Sequence, residues 1–412
     1  MPHVRQYNAE HGVASLRWPV GRSLGHTYAM SRAAIVALIL CSLRCPAQEP
    51  ASGPVWTQLT NLPAEMTANG AGLEAGADGY LYAAVRSGAP SRLSIFRTLA
   101  SNPTTWQNIT GKGLPAAAPR SLGFTPNGTL LLSTTNGKDN ADIYFWNGDN
   151  AKPVWSRVKG WDGVSSSHIY NFTNDSAGYT YFSPAWSGDI WRNDHPNSIH
   201  FNQIVRSLYS ITEGGGAGHT ENGGIYQLRV WDLGDGKGDT IWACGEGELD
   251  NISLKLKKAS ITRYLTSAQG YRGNCTSLVK SPTTILAFRS AISTMDVLTS
   301  IDIATRAMTL HPSPYPRTAT SFPSRISTNE IGVLRWMSGK NFMLSAIDAS
   351  RSPKYLLLSH DDGNTWIDIT DTGAIDSSCK GDNLTPSAVA TSDFIFARCQ
   401  QGRVIWRYGP VQ

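Results

Sequence analysis

A short aromatic-led segment recurs along this chain at intervals near fifty residues. Its clearest copy is Trp366-Ile367-Asp368-Ile369. Related copies begin at Trp56, Trp106, Trp155, Phe201, Ile261 and Met308, so the spacings are 50, 49, 46, 60, 47 and 58. Aromatic and aliphatic side chains in such short alternating runs suit a half-buried pleated strand. A period of this length implies a repeat array, because one unit of that size cannot bury its own apolar face and must stack on neighbours.

Each period holds four short strands. In the first period they fall at residues 73–74, 80–85, 93–97 and 106–110, and in the second at 121–125, 129–133, 143–146 and 154–158. The third has 169–174, 180–183, 189–192 and 201–205. Asp78-Gly79 and Asn127-Gly128 lie between apolar runs and mark tight hairpin turns. The fourth period is longer, with strands at 225–232, 240–244, 252–256 and 261–265. The fifth runs from Cys275 to about Leu310, and the sixth ends at Trp366–Ile369. Four strands per period in series read as an all-β propeller. The last period, 388–390, 394–398 and 403–408, is one strand short, while 55–60 is an orphan strand. Pairing the two removes an exposed edge. Seven blades result, with six or eight open if the weak middle periods are misread. No segment longer than ten residues has helical periodicity.

Residues 359–370 read SHDDGNTWIDIT and contain S-x-D-x-G-x-T-W: Ser359, Asp361, Gly363, Thr365 and Trp366. Asp361 and Asp362 suit a turn in which carboxylates accept from backbone N–H groups. Gly363 supplies a positive φ, and Trp366 is a large apolar anchor. The stretch resembles the Asp-box, or BNR repeat, of sialidase-like β-propellers. That resemblance implies a structural hairpin between the third and fourth strands of a blade. It places ligand chemistry on the opposite face, where strands two and three join and where one blade passes to the next.

The expected site is therefore sought in those loops. Arg86, Arg289, Arg351 and Arg398 each end a second strand in a different blade, and are candidates for substrate binding. Arg120, Arg206, Arg272, Arg317 and Arg325 lie between blades. A guanidinium fork matches a carboxylate with two parallel hydrogen bonds, so such arginines suit an acidic sugar; solvated arginines paired with neighbouring acids are the plainer reading. The longest inter-blade loop, 206–224, carries Tyr209, His219 and Glu221 among six glycines. His219 and Glu221 are candidates for base and acid, Tyr209 for nucleophile or proton donor, and Glu246 for a second carboxylate. A flexible glycine loop is the alternative.

The run from Asp232 to Asp239 has the oxygen-rich look of a calcium loop without its ligand order, and is read as a hairpin, so no metal and no cofactor is expected. Trp186, Trp242 and Trp336 are read as core, and His168 and His195 as isolated surface or turn residues.

Residues 1–47 are read as a signal peptide with an N-terminal extension, and 48–412 as one propeller domain. Arg32 precedes an apolar stretch over 33–43, and Cys45-Pro46-Ala47 is the cleavage edge. Eleven residues are too few for a membrane span, which takes about 20. The expected location is secreted, periplasmic or extracellular. Five arginines and one glutamate precede Gln48; removing that surplus of four takes the net charge from +5 to +1. The body has no basic run, which argues against nucleic acid as a partner. A monomer acting on a glycan or polysaccharide is expected.

Cys244, Cys275, Cys379 and Cys399 remain after cleavage, an even number that suggests disulfides in an exported chain. Cys244–Cys275 with Cys379–Cys399 is one of three connectivities. Seven N-x-[ST] sequons occur, at Asn108, Asn127, Asn171, Asn174, Asn251, Asn274 and Asn383. Two functions stay open: a sialidase-like glycosidase or lyase on acidic glycans, or a non-catalytic propeller that binds glycan or protein.

Overall fold

A computed structural model describes residues 55–411, except 77, 89–91, 136–140, 162–168, 176, 185–188, 206–224, 232–239, 246–248, 254–259, 266–274, 282–283, 290–296, 306, 311–332, 347–354 and 370–388. The chain divides into Met1–Gly53, which lies outside these residues, and Pro54–Gln412.

Strand β1 is Val55–Gln58, and a single helical turn and a half, α1, spans Ala64–Asn69. The first complete sheet then takes β2 (Gly72–Ala75), β3 (Tyr80–Ser87), β4 (Arg92–Leu99) and β5 (Gln107–Asn108). The second has β6 (Ala118–Phe124), β7 (Leu130–Thr135), β8 (Ala141–Trp146) and β9 (Trp155–Arg157). The third has β10 (Ile169–Asn174), β11 (Thr180–Pro184), β12 (Ile190–Asn193) and β13 (Phe201–Val205). The fourth has β14 (Ile225–Trp231), β15 (Thr240–Gly245), β16 (Leu249–Ser253) and β17 (Ser260–Leu265). The fifth has β18 (Cys275–Ser281), β19 (Thr284–Arg289), β20 (Val297–Asp302) and β21 (Met308–Leu310). The sixth has β22 (Val333–Trp336), β23 (Phe342–Ala346), β24 (Tyr355–Ser359) and β25 (Ile367–Asp368). The seventh pairs β26 (Val389–Ala390), β27 (Ile395–Cys399) and β28 (Val404–Gly409) with β1, Val55 facing Gly409 and Gln58 facing Trp406. Every ladder is antiparallel, and within sheets one to six the strands follow chain order.

The strands' composition follows their place in the sheet. Second strands carry long buried runs, as in β7 (LLLSTT), every residue of which is buried. Fourth strands are short and half exposed, as in β9 (WSR) and β25 (ID). Short outer strands leave little unpaired backbone for another chain to pair with.

Sheet packs on sheet through shared cores. Leu73, Leu81 and Phe96 of the first sheet pack with Phe396 and Ile405 of the seventh. Tyr82 and Ile95 pack with Leu122, Leu132 and Trp155 of the second. Leu131 and Ile143 pack with Phe182 and Phe201 of the third. Leu356, Leu358 and Ile369 of the sixth pack with Trp56, Ile395 and Tyr408 of the seventh. First strands touch first strands in series, β26 with β2, then β6, β10, β14, β18 and β22.

The recurring aromatic-led segment acquires a physical role here. The indole N–H of Trp155 donates to Ile109 O of the preceding sheet at 2.9 Å. That of Trp56 donates to Ile369 O at 2.6 Å, linking the seventh sheet to the sixth. The aliphatic residue of each segment, Ile109, Ile369 or Leu59, gives its own N–H to the third strand of its sheet. The segments of Ile109 and Ile369 thus accept a neighbour's tryptophan while closing their own ladders, whereas among the described residues the indole N–H of Trp106 has no partner.

Two sequence expectations shift and one holds. The third strand of the fourth sheet is 249–253, not 252–256. Trp242 is core, fully buried, as expected. His195 is a turn residue but not isolated: its Nδ1 lies 2.7 Å from Asp194 Oδ1.

Candidate functional site

Antiparallel strands in chain order give each sheet two ends. The turns from strand one to two and from three to four share the hairpin end. The turn from two to three and the passage to the next sheet share the connection end. Neighbouring sheets align these ends: Asn174 Nδ2, closing β10, donates to Phe124 O, closing β6, at 2.8 Å. At the other end, Arg398 Nη1, late in β27, donates to Ala71 O, just before β2, at 2.8 Å.

The hairpin end binds its carboxylates to itself. In the turn from β24 to β25, Asp361 Oδ1 accepts from Thr365 N at 2.8 Å and Asp361 Oδ2 from Thr365 Oγ1 at 2.7 Å. Buried Ser359 accepts from Gly363 N at 2.8 Å and donates to Asp361 Oδ1 at 2.9 Å. The N–H of Thr365 first, then its hydroxyl and that of Ser359, hold the Asp361 carboxyl down at about 2. Gly363 has φ +77°, as the sequence requires. Asp362 departs from expectation: it adopts φ +62° itself and enters the turn through its N–H, given to Lys340 O at 3.0 Å. Trp366 is half-buried and donates its indole N–H to Gly363 O at 3.1 Å.

Other third-to-fourth turns use the same device. Asp302 Oδ1 accepts from Thr305 N and Thr305 Oγ1, both at 2.7 Å, the hydroxyl foremost in lowering its carboxyl. Asp194 sits between two imidazoles, His195 Nδ1 at 2.7 Å and His200 Nδ1 at 2.8 Å. The Ser198 hydroxyl, then these rings, bring it to about 2.

At the same end, three sheets repeat a constellation that the sequence reading did not weigh. Tyr82 OH donates to Asp78 Oδ2 at 2.5 Å, and Arg97 lies across the Tyr80 ring, 4.3 Å from its centroid. Tyr181 OH donates to Asp175 Oδ2 at 2.8 Å, and Arg192 lies 4.4 Å over the Tyr179 ring. In the seventh sheet Arg407 lies 5.0 Å over Phe394. Each arginine pairs across the ladder with an aromatic: Tyr82, Tyr181 or Phe396. The signal was present as an aromatic-x-aromatic start to strand two and an Ile-aromatic-Arg triplet in strand three. Burial first, then the neighbouring aspartate, raises both tyrosine hydroxyls above their ordinary range. They stay protonated and act as hydrogen-bond donors. Turns whose carboxylates accept from their own residues and whose phenols stay neutral hold structure.

The connection end differs. Arg86, late in β3, is exposed, as are Arg92 at the start of β4, Arg120 near the start of β6 and Arg403 just before β28. Arg398 is half-buried and carries the bond to Ala71 described above. Of the expected binding arginines, Arg86 and Arg398 are thus on neighbouring sheets, Arg289 ends β19, and Arg351 lies outside the described residues. So do Tyr209, His219, Glu221 and Glu246, the expected catalytic groups, together with Cys379. Cys244 falls within β15, Cys275 opens β18 and Cys399 closes β27. Among the described residues no group of three or more His, Cys, Asp or Glu side chains is placed to hold a metal ion.

No protein-family model matches this chain, and no curated protein matches it. Solved structures do. A chain of a mitotic checkpoint complex is 11% identical, with 89% of this chain and 97% of that one covered at a TM-score of 0.52. The Dos1 propeller is 9% identical, with 87% and 95% covered at a TM-score of 0.51. The likeness is one of fold, and the fold is a β-propeller.

Proposed function

We propose that this chain is an exported, seven-bladed propeller of the Asp-box type that recognises acidic glycans on its connection end. One observation carries the reading: Arg86, Arg92, Arg120, Arg398 and Arg403 gather at that end of three neighbouring sheets. Among the described residues the acids placed towards that end are Glu65, Glu74 and Asp142, and Asp142 is already paired with Arg157 at 2.7 Å. An end at which arginines outnumber acids raises the local concentration of oppositely charged ligands.

Each four-stranded sheet is one blade, and β1 supplies the outer strand of the last, sealing the ring. The pairing of Val55 with Gly409 and the bond from Trp56 to Ile369 O support that count and closure. Residues 1–47 act as the export signal, with Arg32 and the apolar stretch after it in support. The pairing Cys379–Cys399 is supported by Cys399, 1% exposed at the end of β27.

Recognition leads to turnover if His219 and Glu221 reach the bound chain as base and acid, with Tyr209 and Glu246 beside them. The test mixes purified protein with acidic and neutral polysaccharides. Retention of acidic chains alone supports recognition. New reducing ends, or absorbance from unsaturated uronates, adds glycosidase or lyase chemistry, which His219→Ala and Glu221→Ala then reduce sharply. Failure to retain or cleave any polysaccharide sinks the proposal.

A further inference from the structure

Three consecutive first strands break register at the same end. In β6, Pro119 faces Thr134 and Ser121 faces Ser133, leaving Arg120 as the extra residue. In β10, Ile169 faces Pro184 and Phe172 faces Phe182, so Tyr170 and Asn171 stand against one partner. In β14, Ile225 faces Gly245 and Gln227 faces Cys244, leaving Tyr226. All three irregularities lie at the strand start, hence at the connection end. The strands touch in series, β6 with β10 and β10 with β14. Among the other first strands, β2 and β22 hold register, and the irregularity in β18 lies at its far end, between Val279 and Ser281. A bulge turns a side chain away from its ladder position and is favoured where a rim must aim a group at a ligand.

The first two bulges are wired together by a buried hydroxyl. Ser121 N donates to Ser133 Oγ at 3.0 Å, and the two hydroxyls lie 2.8 Å apart. Ser133, fully buried, donates in turn to Ile169 O at 3.4 Å, the residue that precedes the bulge of β10. Beside it Thr134, opposite Pro119 and 1% exposed, has a hydroxyl with no partner. Polar groups are rarely buried at this density without a use, since an unpartnered one is costly. Arg120 itself is exposed, and among the described residues its guanidinium meets no acceptor. Among the described residues the result is a free cation on a fixed piece of backbone at the connection end.

We infer that the bulged starts of β6, β10 and β14 form a subsite for the anionic group of a sugar chain, with Arg120 as its cation and Ser133 as the residue that positions it. This deepens the glycan reading above and rests on it. The shared chemistry is a pair of anionic oxygens, met by the guanidinium fork, whether from a uronate carboxylate or a sulfate ester.

The test titrates the full chain calorimetrically with oligogalacturonate, dextran sulfate and a neutral cello-oligosaccharide. Binding of one or both anionic chains, weakening with added salt, identifies the group. Arg120→Ala then weakens that binding about tenfold or more, as expected for loss of a charge-assisted hydrogen bond, and Arg120→Lys restores part of it. Ser133→Ala weakens the same binding roughly threefold through loss of one neutral hydrogen bond. It leaves any neutral-chain binding and the salt dependence as they were. If the parent chain binds no anionic saccharide, the glycan reading itself is overturned. If it binds and Arg120→Ala binds equally well, the subsite alone is overturned.

Discussion

The two ends of the same sheets treat charge in opposite ways. At the hairpin end, Asp78, Asp175, Asp302 and Asp361 each accept a hydrogen bond from within their own turn or blade, and Asp194 is held between two histidines. At the connection end, Arg86, Arg92, Arg120 and Arg403 point out from strand termini with exposed side chains. The strands are common to both ends, so the difference lies in the links. A carboxylate in a turn finds backbone N–H donors within four residues. A guanidinium has no acceptor of its own and must find one elsewhere. The hairpin end is therefore tied down from within, and it is at the connection end that the proposed recognition would act.

The sharpest way to break this contrast is to remove the best-tied carboxylate. Asp361→Ala deletes three contacts, with Thr365 N, Thr365 Oγ1 and Ser359 Oγ. The exposed setting of the turn screens part of their worth, so about 2 kcal/mol of stability should be lost. Thermal unfolding should show a fall of several degrees with acidic-glycan binding intact. A variant as stable as the parent would mean that the turn is not a staple.

Much of this division could be read from the chain. The period near fifty residues and the turn dipeptides placed most strands within a few residues, because hairpin chemistry is local. The orphan strand expected at 55–60, and observed at 55–58, was given its partner by counting strands alone. The staple at Ser359–Trp366 was legible for the same reason, since all its partners lie within seven positions. What escaped was non-local. The arginine sandwiches of Arg97, Arg192 and Arg407 join residues on different strands, and only comparison of three periods reveals the triplet. The bulges in β6, β10 and β14 depend on register, which alternation of apolar residues does not fix to one residue. Asp362 was misassigned because a carboxylate in a turn can serve through either its oxygens or its own N–H.

A second test asks whether the repeated tyrosine staples are equivalent. Tyr82→Phe and Tyr181→Phe each remove one hydroxyl bond to an aspartate, costing about 1–2 kcal/mol apiece in urea unfolding. Because burial raises both hydroxyls, the parent should also lose stability as pH rises past 10, where only the unfolded tyrosines ionise readily. Each Phe variant should lose less over that window. Unequal effects at neutral pH would show that the two blades do not share the load.

Acid sharpens the contrast further with a smaller effect. The folded carboxyl of Asp361 lies at about 2, below the ordinary 3.8. Its contribution is complete above pH 4 and is lost as pH falls from there towards 2. The stability of Asp361→Asn should therefore vary less than that of the parent across this interval. An identical acid profile in the two proteins would place the acid sensitivity in other carboxylates.

The smallest stability effect belongs to the connection end, and it is the most informative one. Arg86→Ala and Arg92→Ala remove exposed cations from strand termini, so each should change unfolding free energy by no more than about 0.5 kcal/mol. The double variant should nonetheless elute earlier from an acidic polysaccharide column, because a rim's attraction depends on its summed charge. The two readouts divide the possibilities. Stability held and retention lost places the function at the exposed arginines of the connection end. Stability lost with retention held would make these arginines structural, and the two ends would then differ in residue type while doing the same work.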